Sequence, residues 1–176
     1  MNLTPEKVDL VHKHYKRQIN NGIYLDTGVL FLMLIGEYDR VFGTDFLKEF
    51  NYKLSDFEIL LTFIRGVTSN LVITPHILTE FLSKVQKLNQ KDKILEFISP
   101  FLSNFIEQNV SKDQIFACNF LNDFDIGEHS LYLCHTQKKP CFIITDERKF
   151  HGKLRRDKDI LVCHFSETLK PAFLSQ

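Results

Sequence analysis

The stretch Ile23-Tyr24-Leu25-Asp26-Thr27-Gly28-Val29-Leu30-Phe31-Leu32-Met33-Leu34-Ile35 decides the fold. A short apolar run stops at an acid, and apolar residues then resume from Val29 to Ile35. That is too long for one exposed strand, and it predicts a buried strand running into a helix. The arrangement recurs. Leu71-Val72-Ile73 is followed by Thr74-Pro75, a capping hydroxyl and a proline suited to a first helical turn. Cys141-Phe142-Ile143-Ile144 ends at Thr145-Asp146, and Ile160-Leu161-Val162-Cys163 is a last strand before a polar tail. Strands alternating with helices imply right-handed crossovers, so the fold class is α/β, a parallel sheet with helices on both faces.

Outward from these strands, Thr4-Pro5-Glu6 opens a helix whose face is Val8, Val11, Tyr15 and Ile19. Residues 1–22 are thus an N-terminal helix and 23–170 the α/β domain. Ser55-Asp56-Phe57-Glu58 reads as a capping box over a helix at 55–65. Across 83–108, Ile94, Phe97, Ile98, Phe101, Leu102 and Phe105 keep helical spacing, interrupted only by Ser99-Pro100, which is predicted to kink or split the helix, so that the segment reads as a helical hairpin. Ser111 with Gln114, and Asp125 with Glu128, mark two further helix starts.

A chain of 176 residues fits one compact domain. Lys plus Arg (22) equals Asp plus Glu (22), which gives no global attraction to nucleic acid and leaves any basic surface local. Cys118, Cys134, Cys141 and Cys163 show no zinc-like C-x-x-C spacing, and the first residues hold no secretory apolar stretch. Reduced thiols in a cytoplasmic protein are expected. No run approaches the roughly 20 apolar residues that cross a bilayer, so no membrane association is expected.

The chemistry lies in the acids. Asp26 and Asp146 each follow a strand, and Glu80 lies in the helix after another. A parallel sheet brings them to one edge, where ligands of such folds collect. Glu128, just inside the helix before the 142–145 strand, reaches the same place from the side. Carboxylates gathered this way repel unless cations neutralise them, and hard oxygen donors suit Mg²⁺ or Mn²⁺.

The stretches Ile23 to Thr27, Ile73 to Phe81, Gly127 to Leu131 and Ile144 to Glu147 resemble, in order, the acidic motifs of PIN domains, the family that includes the VapC-type toxins. The resemblance spans about 23–165. It implies a three-layer α/β/α fold and a metal-dependent endoribonuclease. Asp26, Glu80, Glu128 and Asp146 are then the catalytic, metal-holding acids, and the hydroxyls of Thr27 and Thr145 orient neighbouring carboxylates. The ligands imply a cation that acidifies a bound water for in-line attack on phosphorus. An antitoxin partner follows if the chain is a toxin; a free-standing RNA-processing nuclease is the other setting. Pairing through the 94–108 helices would make a homodimer. In two places the chain departs from the family pattern: the third acid is more often Asp, so Asp125 competes with Glu128 as metal ligand, and Gly28 stands where Ser or Asn is frequent.

Blander readings stand beside these. Asp125 and Glu128 have the spacing of a helix cap, Asp26 that of a cap after a strand, and Glu80 alone is an ordinary surface residue. Arg148, Lys149, Lys153, Arg155, Arg156 and Lys158 either guide RNA toward Asp146 or form a solvated loop. His76, His129, His151 and His164 share no ligand spacing, and the Phe97, Phe101, Phe105 row reads as core or dimer face. Two rival functions remain. A haloacid-dehalogenase-like phosphatase needs a second Asp where Gly28 stands, and a PIN-like module without catalysis would bind RNA or a protein.

Overall fold

The computed structural model describes residues 21–67, 70–117, 124–137, 142–157 and 160–174. The expected N-terminal helix, Lys138-Lys139-Pro140, Cys118, Cys141 and Lys158 lie outside them.

Strand β1 (Ile23–Leu25) is wholly buried, as its unbroken apolar sequence requires. It is entered through Gly22, whose φ of +126° and whose approach to Val72, 2.5 Å from an added Cβ, leave room for no side chain. Helix α1 (Thr27–Phe42) follows without a gap, because Asp26 Oδ1 accepts the Val29 N–H at 2.8 Å. It ends at Gly43 in the left-handed region. Helix α2 (Leu54–Val67) packs on α1 where Gly36 admits the Phe57 ring; a Cβ there would lie 2.5 Å from it.

Strand β2 (Leu71–Ile73) then leads into α3 (Pro75–Val85), capped by Thr74 with Pro75 in the first turn. Next come α4 (Lys91–Leu102), β3 (Ile106–Glu107), α5 (Lys112–Ala117), α6 (Ile126–Gln137), β4 (Phe142–Thr145), α7 (Arg148–Leu154), β5 (Val162–His164) and α8 (Lys170–Leu174). All five strands are parallel in the order β3-β2-β1-β4-β5, with helices completing a three-layer α/β/α fold. The chain winds one way from β1 to β3 and the other way from β4 to β5. The winding reverses between β1 and β4, where Leu25 pairs with Ile144, and crevices form at the carboxyl ends of such a pair.

Several expectations need correction. The 55–65 helix begins at Leu54, and its first turn is held by Asp56 accepting the Lys53 N–H at 3.0 Å; Ser55 and Glu58 are exposed. Asp56 is also buried against Lys170 of α8 at 2.8 Å, a tertiary contact that favours that frame. The hairpin turns at 86–90, where Gln90 takes a left-handed φ of 63°, rather than at Pro100. Pro100 falls in the last turn of α4, where it removes the one bond its N–H would have made to the residue 96 carbonyl and the helix ends two residues later. Beyond it, Ile106–Glu107 pairs with β2 as an edge strand instead of extending a helix. The polar tail folds: Phe165, Leu169 and Phe173 are buried. Phe97 packs on Tyr38 and Phe42, whereas Phe101 is largely exposed. Cys134 and Cys163 are buried. Among the described residues no helix is long and apolar enough to cross a membrane.

Candidate functional site

At the β1/β4 crevice a cleft of about 230 Å³ is lined by Asp26, Glu80, Glu128 and Asp146, with Asp125 and Glu147 beside them. Four chain segments distant in sequence thus deliver acids to one place. Lys84 is the single cation on its wall, and Thr27, Gly28, Tyr52 and Ile77 complete the lining.

Asp26 is fixed by the sheet. Besides capping α1, it accepts the Asp146 N–H at 2.8 Å and the Thr145 hydroxyl on Oδ2. Burial raises its pKa above the usual carboxylate range, opposed by these hydrogen bonds and reinforced by the Asp146 charge. Asp146 follows β4 and accepts from Tyr52 (3.0 Å), the Ser166 N–H (3.0 Å) and the Ser166 hydroxyl (2.9 Å). His164 Nδ1 lies 3.3 Å from its Oδ1.

The glutamates come from helices. Glu80 projects from α3, with Oε2 accepting the Thr27 hydroxyl at 2.8 Å and Oε1 lying 3.6 Å from Lys84 Nζ. Helices α3 and α6 are joined by a buried hydroxyl pair, Thr74 and Ser130, 2.6 Å apart. They come close because position 127 is glycine: a Cβ there would stand 2.9 Å from Ile77 and 3.0 Å from Glu80 Oε2. Asp125 and Glu128 form the reciprocal cap that their spacing predicts, Asp125 Oδ1 accepting the Glu128 N–H at 2.8 Å and Glu128 Oε2 the Asp125 N–H at 3.1 Å. Both also line the cleft, so capping and a place in the acidic cluster coexist. Burial, and then the charges of Asp125, Glu147 and Asp26, push Glu128 up to about 8.

The two threonines donate to carboxylates, Thr145 to Asp26 and Thr27 to Glu80. The basic segment stands apart. Arg148, Lys149, Lys153, Arg155 and Arg156 lie on and just after α7, none lines the cleft, and Arg148 pairs with Glu167 at 2.6 Å. His164 is buried against Asp146, and His129 is buried with Nδ1 2.6 Å from the Asp125 carbonyl.

Sequence reasoning missed Tyr52, Lys84, Glu147 and Ser166. Lys84 was readable as the residue one helical turn after Glu80, and Ser166 as a polar group just past a strand end. Tyr52 carries no local signal. No family model matches this chain, and no curated protein matches it.

The donor chemistry fits a hard divalent cation. Six carboxylates and one lysine share the cleft wall, and their charges add to the burial that lifts Glu128. As the side chains stand, no three acidic, histidine or cysteine groups among the described residues are clustered tightly enough to hold an ion.

Proposed function

We propose that this chain is a PIN-type endoribonuclease dependent on Mg²⁺ or Mn²⁺. The reading rests on one observation: Asp26, Glu80, Glu128 and Asp146 line a single cleft at the winding reversal of a parallel sheet. These four acids would hold the cation, with Asp125 within the same wall. When bound, the cation supplies an acidified water and charge neutralisation at the scissile phosphate. The chain's own groups do the rest. Thr145 and the Asp146 N–H aim Asp26, Thr27 aims Glu80, and Ser166 and Tyr52 aim Asp146. The basic residues around α7 would attract the RNA backbone beside Asp146.

A second reading has its own observation. Each acid is already engaged by protein donors, and among the described residues no three acidic, histidine or cysteine groups stand close enough to hold an ion, which suits a PIN-like module that binds RNA or protein without cutting it. Incubating structured and single-stranded RNAs with the protein in Mg²⁺, Mn²⁺ or EDTA, beside Asp26→Asn and Asp146→Asn, separates the two. Cleavage that needs metal and is absent in both folded variants is expected. RNA retained intact but bound in every condition would establish the silent module instead.

A further inference from the structure

We infer that Tyr52 is a positioning residue for Asp146, admitted to the acid cluster by the absence of a side chain at Gly28; this inference rests on the metal-dependent reading above. The phenolic hydroxyl donates to Asp146 Oδ2 at 3.0 Å. A Cβ built at Gly28 would lie 3.1 Å from the Tyr52 phenolic oxygen and 3.5 Å from Asp26 Oδ1. The hydroxyl therefore occupies the space a side chain at position 28 would enter, between the two acids that end β1 and β4. Gly28 has no positive φ, so the conformation does not demand glycine there; the room for Tyr52 does.

The segment carrying Tyr52 is anchored at several points. Buried Asp39, near the end of α1, accepts the Thr44 hydroxyl (2.5 Å), the Phe46 N–H (3.1 Å) and the Leu47 N–H (2.8 Å). These bonds hold the 3₁₀ turn Phe46–Phe50, whose Phe50 ring lies 4.0 Å from Phe31. Asn51 then takes a left-handed φ of 63°, and the Tyr52 N–H returns to the Leu47 carbonyl at 3.1 Å. A residue held this firmly from outside the sheet, and reaching across it to a strand-end acid, fixes the direction of that acid's lone pairs. Groups that orient metal-holding carboxylates are commonly worth about 10–100-fold in metal affinity.

Mn²⁺ titration calorimetry on the full chain tests this with Tyr52→Phe, Gly28→Ser and the two combined, thermal melting confirming that each is folded. Tyr52→Phe is expected to weaken Mn²⁺ binding by about tenfold. Gly28→Ser alone should weaken it as well, because the new side chain meets the phenolic oxygen. The combined variant should recover most of the loss, a serine hydroxyl standing in the space the phenolic oxygen left. A packing role for Tyr52 predicts no such recovery. Wild-type affinity in folded Tyr52→Phe, or a combined variant as weak as Tyr52→Phe, overturns the inference while the metal site stands. Failure of the wild-type chain to bind Mn²⁺ overturns the metal-dependent reading and this inference with it.

Discussion

The cleft has two walls built on different principles. On the strand wall, Asp26 accepts the Asp146 N–H and the Thr145 hydroxyl through the register of β1 against β4, and Asp146 accepts the Ser166 N–H and hydroxyl through that of β4 against β5, with Tyr52 added from outside the sheet. On the helix wall, Glu80 is held by one hydroxyl and a 3.6 Å lysine contact, and Glu128 by the single N–H of its own cap. Asp26 is 6% exposed, whereas the Glu80 side chain is 37% exposed. The strand acids are preorganised, Glu128 is buried within its cap, and Glu80 keeps the most rotamer freedom. On the proposed metal-dependent reading, closing the cluster on an ion would fall chiefly to Glu80.

The sharpest break in that comparison comes from amide substitutions. Asp26→Asn turns an NH₂ toward groups that already donate, Thr145 or the Asp146 N–H, and Mn²⁺ affinity should fall by at least about 100-fold, the upper end for merely orienting groups. Glu80→Gln keeps an acceptor for Thr27 and a mobile arm, and should lose only about tenfold. Equal losses in calorimetry would erase the distinction between the walls. Smaller in activity but clear in stability is Gly127→Ala, which drives a methyl group against Ile77 and Glu80. Urea denaturation should show a loss of about 2 kcal/mol, typical of overpacking. Gly152→Ala, where nothing lies within 4 Å, serves as control and should be neutral or stabilising by up to ~1 kcal/mol.

The two walls also differ in how far they can be read from sequence. Strand β1 with its acid, Thr74-Pro75 before α3, and the caps at Ser111 and Asp125 are local signals, each settled within a few residues, and each appears where its pattern places it. Strand β3 was hidden because two exposed edge residues carry no alternation, while Phe97, Phe101 and Phe105 continue a helical period toward them. Asp56 displaced the Ser55 cap through a contact with Lys170 that no local window contains. Tyr52 meets Asp146 across 94 positions, so only the folded chain reveals that they meet. Long-range hydrogen bonds, rather than the acids themselves, are what the sequence conceals.

Glu128 sharpens the comparison through pH. Its pKa rises on folding from 4.5 to about 8, so the folded state holds a proton that the unfolded state has released. The resulting penalty is absent below pH 4.5, grows as pH rises toward 8, and is constant above. Glu128→Gln retains a capping acceptor but cannot ionise, so its stability should decline less over that window. At pH 8 the variant's thermal midpoint should exceed that of the wild-type chain by about 2–4 °C, the shift that ~1 kcal/mol produces in a chain of this length. Saturating Mn²⁺ should narrow the gap, because a bound cation offsets the same repulsion.

The smallest effect concerns Lys84, whose charge sits where a cation would. As an i, i+4 partner of Glu80 at 3.6 Å it contributes only about 0.3–0.5 kcal/mol to the fold, so Lys84→Met should barely move the urea midpoint. Its influence on the cleft has the opposite sign. Removing a fixed positive charge from among six carboxylates favours an incoming divalent ion, and Mn²⁺ binding should tighten by about threefold at low salt, an advantage that fades as ionic strength rises. If Lys84 instead serves to meet an RNA phosphate, the same variant should bind RNA more weakly in EDTA. Tighter metal with unchanged RNA binding would make Lys84 a resident counter-charge of the helix wall, holding Glu80 until a cation takes over that role.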